Sequence, residues 1–242
     1  MFETLLIKPL YNVFIYLIGV MPGGDVGLAI IALTLVVRIL FYPAFAASIR
    51  TQMNMQAVQA ELDEIKKKYK DDSEASARHT LALYKERNIK PFAGFIALIV
   101  QIPILLALYF AFFREGLPHI TTGLLYSFVQ VPSVVNVDFF GLVHLLDPHN
   151  IVLSAIVSAL QYAVAYFSTT RSAAAIATMT KERQMSQRMQ QQMMLYFLPI
   201  MMGFVSYSFP AAVGLYFIAG NVVSLAQEWL IRKELSKKGL IS

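Results

Sequence analysis

The chain of 242 residues has no cysteine, one tryptophan and few charges, since only 14% of its residues are Asp, Glu, Lys or Arg. Without cysteine it has no disulfide, no thiolate metal site, no cysteine nucleophile and no lipid-modified cysteine. Soluble domains carry about 25% charged residues, whereas 57% of this chain is hydrophobic and its mean hydropathy is +0.58. The composition therefore predicts an all-α polytopic membrane protein with little room for a soluble domain.

Several motifs of catalysis and energy coupling are also absent. The chain contains no GxxxxGK[ST] phosphate-binding loop, no GxSxG serine-nucleophile motif and no HExxH zinc motif. The four histidines, His79, His119, His144 and His149, do not have the spacing of metal ligands, and we interpret the last three as surface residues. We therefore expect no nucleotide, no metal, no other cofactor and no enzymatic reaction.

Five segments are long and apolar enough to cross a bilayer, at residues 24–47, 91–113, 151–168, 192–209 and 210–229. The apolar run at 10–21 is too short to cross, so we predict an interfacial helix within residues 1–23. An uncleaved signal peptide is the alternative for this run, and the missing basic n-region argues against it.

The basic residues predict the topology. Lys and Arg number nine in 48–90, four in 169–191 and four in 228–242. The positive-inside rule assigns all three stretches to the cytoplasm, so an even number of spans must separate the first two. Residues 114–150 then form an extracytoplasmic loop. The prediction is five transmembrane helices with the N-terminus outside and the C-terminus inside, a cytosolic loop at 169–191 and a basic cytosolic tail at 230–242.

Residues 48–90 are predicted to form a cytosolic helical hairpin. Apolar side chains recur at spacings of three and four residues, which is a heptad seam; they are Met55, Val58, Leu62, Ile65 and Tyr69. Asp71, Asp72 and Ser73 then provide a turn and an acidic N-cap for a second helix. A rigid spacer and a docking element for other proteins both fit this pattern.

Arg38 lies inside the first predicted span, within LTLVVRILFYP. An arginine at the centre of a bilayer costs at least about 2.5–3.5 kcal/mol, and the interior of each predicted span has no acidic residue. Amide and hydroxyl side chains do occur in the spans: Thr34, Gln101, Ser154, Ser158, Gln161, Asn221, Ser224 and Gln227. An arginine among such groups favours a water-filled cavity. The alternative is that the amides and hydroxyls only join helices by hydrogen bonds.

Five stretches, in this order along the chain, resemble the YidC/Oxa family of membrane protein insertases. They are GLAIIALTLVVRILFYP, LALYKERNIKPFAGFIALIVQIPILLALY, FFGLVHLLDPHNIVL, RMQQQMMLYFLP and FPAAVGLYFIAGNVVSLAQEWLIRK. The resemblance covers nearly the whole chain. It implies a hydrophilic, positively charged groove in the inner half of the bilayer, closed to the outside. The residues that match the family's groove are Arg38, Thr34, Gln101, Pro103, Gln161, Asn221, Gln227 and Trp229.

The resemblance also implies partners and a location. Nascent membrane proteins and membrane lipid are the expected partners, with the ribosome and the Sec translocon as further candidates. The tail residues that would meet the ribosome are Arg232, Lys233, Lys237 and Lys238. We expect a monomer in the bacterial cytoplasmic membrane that binds no specific nucleic-acid sequence.

Some positions depart from the family pattern. Ala212 stands where the family usually has a glycine two residues after the proline that opens the last span, and glycine follows at Gly214. The sequence also shows no large outer domain, no lipobox cysteine and no Arg-rich transit peptide. We therefore expect a bacterial member without a large extracytoplasmic domain.

The predicted function is insertion and folding of new membrane proteins without nucleotide hydrolysis. Arg38 would attract acidic flanks of the substrate into the groove, and burial of the substrate's apolar segment would drive the transfer. The alternative from another class is a small transporter or anion channel that binds its substrate at Arg38. A purely structural subunit of a larger membrane complex is the third interpretation.

Overall fold

The computed structural model describes residues 7–90, 105–106, 117–120, 122–169, 185, 188–189 and 191–237. These residues are mostly helical, as the composition predicted. The described helices are α1 (Lys8–Val20), α2 (Val26–Leu40), α3 (Tyr42–Ala57), α4 (Gln59–Lys68), α5 (Ser73–Glu86), α6 (Ile151–Thr169), α7 (Leu198–Ser208) and α8 (Ala211–Lys237). A π-helical turn at Met193–Phe197 leads into α7. The predicted span 91–113, with Gln101 and Pro103, lies almost entirely outside the described residues, and Lys238 does so too.

Within the described part of the chain, one helix is long and apolar enough to cross a membrane alone, over Ile151–Ser168. The pair α2 and α3 passes the same criterion together as a bent span, while α1 and the stretch Met193–Ser208 are apolar but shorter. The five spans and their topology therefore stay a prediction.

Helix α2 ends at Leu40 and α3 begins at Tyr42, so a break at Phe41 divides the predicted span at 24–47. Phe41 closes α2 by donating its N–H to the Val37 carbonyl. Pro43 has no N–H for the Ile39 carbonyl, and its ring crowds that carbonyl, which accounts for the break. The consequence is that Arg38 lies in the last turn of a helix.

The described residues form two compact units. The first contains residues 7–41, 117–161 and 199–224, and the second contains residues 42–90, 225–237 and the described residues of 162–198. Helices α6 and α8 are each divided between the two units, with the first part in the first unit and the last part in the second.

In the first unit, α1 packs against α2 and buries Tyr11, Phe14, Ile15 and Ile18. Asn12 is also buried in α1. It binds the segment of residues 117–150 that precedes α6. Its side-chain Nδ2 donates to the Leu124 carbonyl (2.9 Å), and its Oδ1 accepts from the Tyr126 N–H (2.7 Å). An asparagine that weakens an apolar helix thus fixes the connecting segment (residues 117–150) to α1.

The connecting segment contains a short antiparallel hairpin, β1 (Asp138–Phe139) and β2 (Val143–His144). Beyond it, backbone hydrogen bonds join the segment to α7 and α8. The Ala211 N–H donates to the Asp147 carbonyl (2.9 Å), and the Ala212 N–H donates to the Leu145 carbonyl (3.0 Å). These bonds need no particular side chain, so they hold with alanine at position 212.

Gly214 provides a close contact in the turn where the family pattern differs. A Cβ at Gly214 would lie only 2.7 Å from Ser206 Oγ of α7 and 3.4 Å from Leu153 Cβ of α6. Ala212 is fully buried. The tight helix approach in this chain therefore depends on the glycine two positions later.

In the second unit, α4 and α5 pack as a hairpin, which confirms the predicted seam and cap. Asp72 accepts from the Ala75 N–H (2.9 Å) as the N-cap of α5. The hairpin has a small apolar core made of Val58, Leu62, Leu83 and Ile89, against which Met55, Ile65 and Tyr84 pack. At the turn between the two helices, the Tyr69 ring stacks on the His79 ring at 4.4 Å between centroids.

Candidate functional site

Arg38 extends from the last turn of α2 towards α8, within the first unit. Its side chain is half-buried. A Cβ placed on Gly220 would lie 3.7 Å from Arg38 Nη2, an ordinary van der Waals distance. The guanidinium therefore lies beside α8 at Gly220, with room for a methyl group between them. The carbonyl end of α2 also favours a positive charge at this position.

The face of α8 around Gly220 carries polar groups beside an aromatic ring. Tyr216, one turn earlier, is 3% exposed. Ser224, one turn later, donates its hydroxyl to the Gly220 carbonyl (2.9 Å). The Nδ2 of Asn221 is buried and has no hydrogen-bond partner among the described residues. A buried amide donor of this kind needs an acceptor such as a water molecule or a bound polar group.

Thr34 and Gln161 belong to the same unit. Thr34, one turn before Arg38, is 2% exposed, and its hydroxyl donates to the Ile30 carbonyl (2.7 Å). Its polarity is therefore largely satisfied within α2. Gln161 is half-buried in α6.

Gln227 and Trp229 lie in the part of α8 that belongs to the second unit. Gln227 is buried, whereas the Trp229 ring is 60% exposed and has the Lys233 ammonium 4.7 Å from its centroid. Such a distance is within the range of a cation–π interaction. Lys237, the last described residue of the predicted tail, is exposed at the end of α8.

A buried ion pair in the second unit was missed in the sequence. Glu228 is 7% exposed and accepts from Arg232 Nε (3.0 Å) and Nη2 (2.6 Å). Ser168 Oγ donates to the other carboxylate oxygen (3.1 Å), and Arg232 Nη2 also donates to the Phe167 carbonyl (2.8 Å). We call these four residues the polar clamp. The signal was present as Glu and Arg at i and i+4, but the predicted tail assigned Arg232 to solvent.

The ion pair has a consequence for the predicted ribosome-facing residues. Arg232 uses its donors within the second unit, while Lys233 and Lys237 keep exposed side chains. Arg50 of α3 contacts the same end of α8 through Glu234 (3.0 Å). Across the described residues, no group of three or more His, Asp or Glu side chains has the geometry to hold a metal ion.

These features define a mostly helical protein with a helix long and apolar enough to cross a membrane and a half-buried arginine beside a glycine of α8. The chain matches the profile of the family described as "60Kd inner membrane protein" over residues 18–238. It therefore belongs to this family, the YidC/Oxa family that its motifs resemble.

Individual relatives carry the name "Membrane protein insertase YidC". The protein of Oceanobacillus iheyensis is 32% identical over 240 residues, which cover 98% of this chain and 85% of the relative. Those of Haemophilus ducreyi and Histophilus somni are 28% and 29% identical over 236 residues, 96% of this chain. The chain spans 38% of the length of these two relatives.

Proposed function

We propose that this protein is a membrane protein insertase that moves hydrophilic flanks of new membrane proteins through a positively charged groove in the inner half of the bilayer. The observation that carries the proposal is the position of Arg38, a cation in the last turn of an apolar helix that lies beside α8 at Gly220. The family, whose relatives are named insertases, supports it.

The proposed groove has Arg38 at its centre, with the unpartnered amide of Asn221 beside Gly220 as a polar wall. Thr34 and Gln161, in the same unit, are the further described residues that we assign to it, and Gln101, Pro103, Gln227 and Trp229 stay predictions from the family resemblance. A carboxylate about 4 Å from a guanidinium gains about 4 kcal/mol at the dielectric constant typical of partly buried pairs. This attraction would offset part of the cost of bringing an acidic flank into the membrane.

The energy for the transfer would come from the substrate. Each CH₂ group that the substrate buries in lipid contributes about 0.8 kcal/mol. A segment of about 20 apolar residues spans the bilayer, so its partitioning into lipid exceeds the cost of one solvated flank. No nucleotide hydrolysis is required, and no covalent bond changes.

The proposal includes the membrane topology predicted from the sequence. Five transmembrane helices with the N-terminus outside would put the α4–α5 hairpin, Lys233 and Lys237 in the cytosol. The hairpin would receive substrates, and the exposed lysines would meet the ribosome. The Sec translocon is a further proposed partner.

Reconstitution into liposomes tests the function. The substrate is a short single-span protein with an acidic outer tail, and insertion is scored by protease protection of that tail. Arg38→Ala removes an attraction of about 4 kcal/mol. Losing even a third of it, about 1.4 kcal/mol, corresponds to a factor of about ten in rate, so insertion should slow tenfold or more. Arg38→Lys separates the need for charge from the need for the planar guanidinium.

Arg78→Ala is the matched control, because Arg78 is an exposed arginine of α5 that pairs with Glu74 on the same helix. It should insert like the wild type. Equal insertion by Arg38→Ala and wild type would remove Arg38 from the mechanism. No insertion by wild type, together with chloride flux through the same liposomes, would favour the anion channel instead.

A further inference from the structure

The hairpin of β1 and β2 is held in one place on the first unit. Phe139 packs so closely on Gly27 of α2 that any Cβ at Gly27 would collide with its ring. Asp25, the buried N-cap of α2, accepts from the Leu28 N–H (2.9 Å) and from the Phe140 N–H (3.4 Å). The hairpin tip is therefore fixed beside the first residues of α2.

The tip has a backbone conformation that an aromatic residue rarely adopts. Phe140 and Gly141 have φ of 51° and 68°, and the Leu142 N–H donates to the Phe139 carbonyl (3.0 Å). Left-handed φ at both central residues is the pattern of a type I′ turn, which favours Asn-Gly. Phenylalanine at the first of these positions strains the backbone, so its side chain must contribute something that asparagine would not.

The Phe140 ring packs on the Phe139 ring at 4.6 Å between centroids, but this contact covers only part of its surface. The Phe140 ring is 66% exposed, and the neighbouring Leu142 is 86% exposed. Residues 139–143 carry no charge. A strained aromatic residue and a leucine that both face outward point to a partner outside the chain.

The apolar tip lies in the same unit as the start of α6, a helix long and apolar enough to cross a membrane. Helix α6 begins seven residues after the hairpin, and its first two residues, Ile151 and Val152, are 70% and 67% exposed. This helix has the length and apolarity of a membrane span. The tip also lies at the first residues of α2, where the other candidate span begins.

We propose that Phe140 and Leu142 insert into the outer leaflet of the bilayer and anchor the connecting segment to lipid. Aromatic and aliphatic side chains on a fixed turn enter the interfacial region of a membrane without carrying charge into it. The proposal rests on the topology given with the proposed function, which puts the first residues of α2 and of α6 on the outer side.

Site-directed spin labelling tests the proposal in the chain of 242 residues, which has no native cysteine to remove. The protein carrying Leu142→Cys is labelled with a nitroxide and reconstituted into phosphatidylcholine and phosphatidylglycerol vesicles. Collisions with oxygen, which is enriched in lipid, are compared with collisions with a water-soluble nickel chelate. Ile156→Cys on α6 is the lipid control, and Leu81→Cys on the α5 surface is the water control, since both residues are exposed.

The proposal expects the label at position 142 to resemble the one at 156, with a several-fold lower nickel collision rate than at 81. A label at 142 that resembles the one at 81 would overturn it. Low collision rates with both reagents would also overturn it, because they would show a second copy of the protein covering the tip. A water-exposed label at 156 would instead overturn the membrane placement of α6, on which the proposed function depends.

Phe140→Asn separates anchoring from folding of the hairpin. Asparagine suits the turn better than phenylalanine, which offsets the loss of the ring contact with Phe139, so a purely structural hairpin would keep its order. If the ring anchors the tip in lipid, the same substitution should raise the nickel collision rate of the label at 142 several-fold. An unchanged rate would count against the role of Phe140.

Discussion

At the scale of single residues, Gly220 determines how far Arg38 reaches. A methyl group at position 220 would meet Nη2 at 3.7 Å without displacing it, whereas a longer side chain would occupy the space of the guanidinium. We predict that Gly220→Ala inserts substrate like the wild type in the liposome assay. Gly220→Leu should lower the rate about tenfold, the effect of losing about 1.4 kcal/mol.

Leucine is a better helix former than glycine, so the loss in Gly220→Leu should occur without loss of helicity by circular dichroism. Full activity of Gly220→Leu would mean that the guanidinium does not need the surface of α8.

His144 is a second residue with a testable property. The hydrogen bond from Nδ1 to Asp138 Oδ1 (2.6 Å) raises the pKa of His144 above its ordinary value of 6.5, and the charge of Asp147 acts in the same direction. Because folding raises the pKa of His144, the His144–Asp138 pair contributes its full stabilisation to the hairpin at any pH below the pKa of the unfolded chain. The contribution is lost as the pH rises through the folded value.

We predict that an NMR titration of His144 gives a pKa above 6.5. Asp138→Asn should move it down towards the ordinary value, and Asp147→Asn should move it less, because only Asp138 makes the hydrogen bond. The same pKa in wild type and Asp138→Asn would contradict the assignment of the cause.

At the scale of elements, the polar clamp joins the ends of α6 and α8 in the second unit. Glu228 is buried and Arg232 largely so, with side chains 9% and 21% exposed. Removing one partner from a buried ion pair leaves the other charge without compensation, at a cost of about 3–5 kcal/mol. We predict that Arg232→Ala greatly increases hydrogen exchange, measured by mass spectrometry, over residues 225–237.

Replacing both partners provides the control. The double variant Glu228→Met, Arg232→Met removes both charges at similar volume, and its exchange should stay close to that of the wild type or fall below it. If the double variant exchanges as fast as Arg232→Ala, the clamp acts by something other than charge compensation.

The elements also differ in how well the sequence predicted them. The seam of the α4–α5 hairpin and its Asp72 cap were predicted correctly because both depend on residues a few positions apart. The break at Phe41 has a local cause in Pro43. It was not predicted, because the span at 24–47 was assigned from the length of its apolar run alone. Glu228 was missed because it lies at the predicted end of a span, while Arg232 was assigned to the cytosolic tail, so the two were not considered as a pair.

The contacts of the connecting segment could not be predicted from any pattern in the sequence. Asn12 binds residues 112 and 114 positions away, and no periodicity relates such partners. Arg38 was identified from its unfavourable position in an apolar run, but its neighbour Gly220 is on a distant helix. The sequence thus predicted which residue is unusual and not what surrounds it.

At the scale of the whole molecule, the absence of cysteine permits a direct measurement of topology. Cysteines introduced at Gln130, Ala77 and Ser236 occupy exposed positions in the connecting segment, α5 and α8. With the N-terminus outside, we predict that a membrane-impermeant maleimide labels Gln130→Cys in intact cells. It should label Ala77→Cys and Ser236→Cys only after permeabilisation.

Labelling of Ala77→Cys from outside would reverse the proposed orientation. Labelling of Gln130→Cys and Ser236→Cys from the same side would require an even number of spans between them, rather than the three predicted.

The position of Arg38 beside Gly220 also sets an order in time. Gly220 follows Arg38 by 182 residues, and at about 5–20 residues per second the ribosome needs on the order of 10–40 s to make that stretch. During this interval α2 exists before the surface that its arginine faces in the finished protein. The newborn chain is then itself a membrane protein with an unsheltered charge, and so has the same need for assistance as the substrates proposed for it.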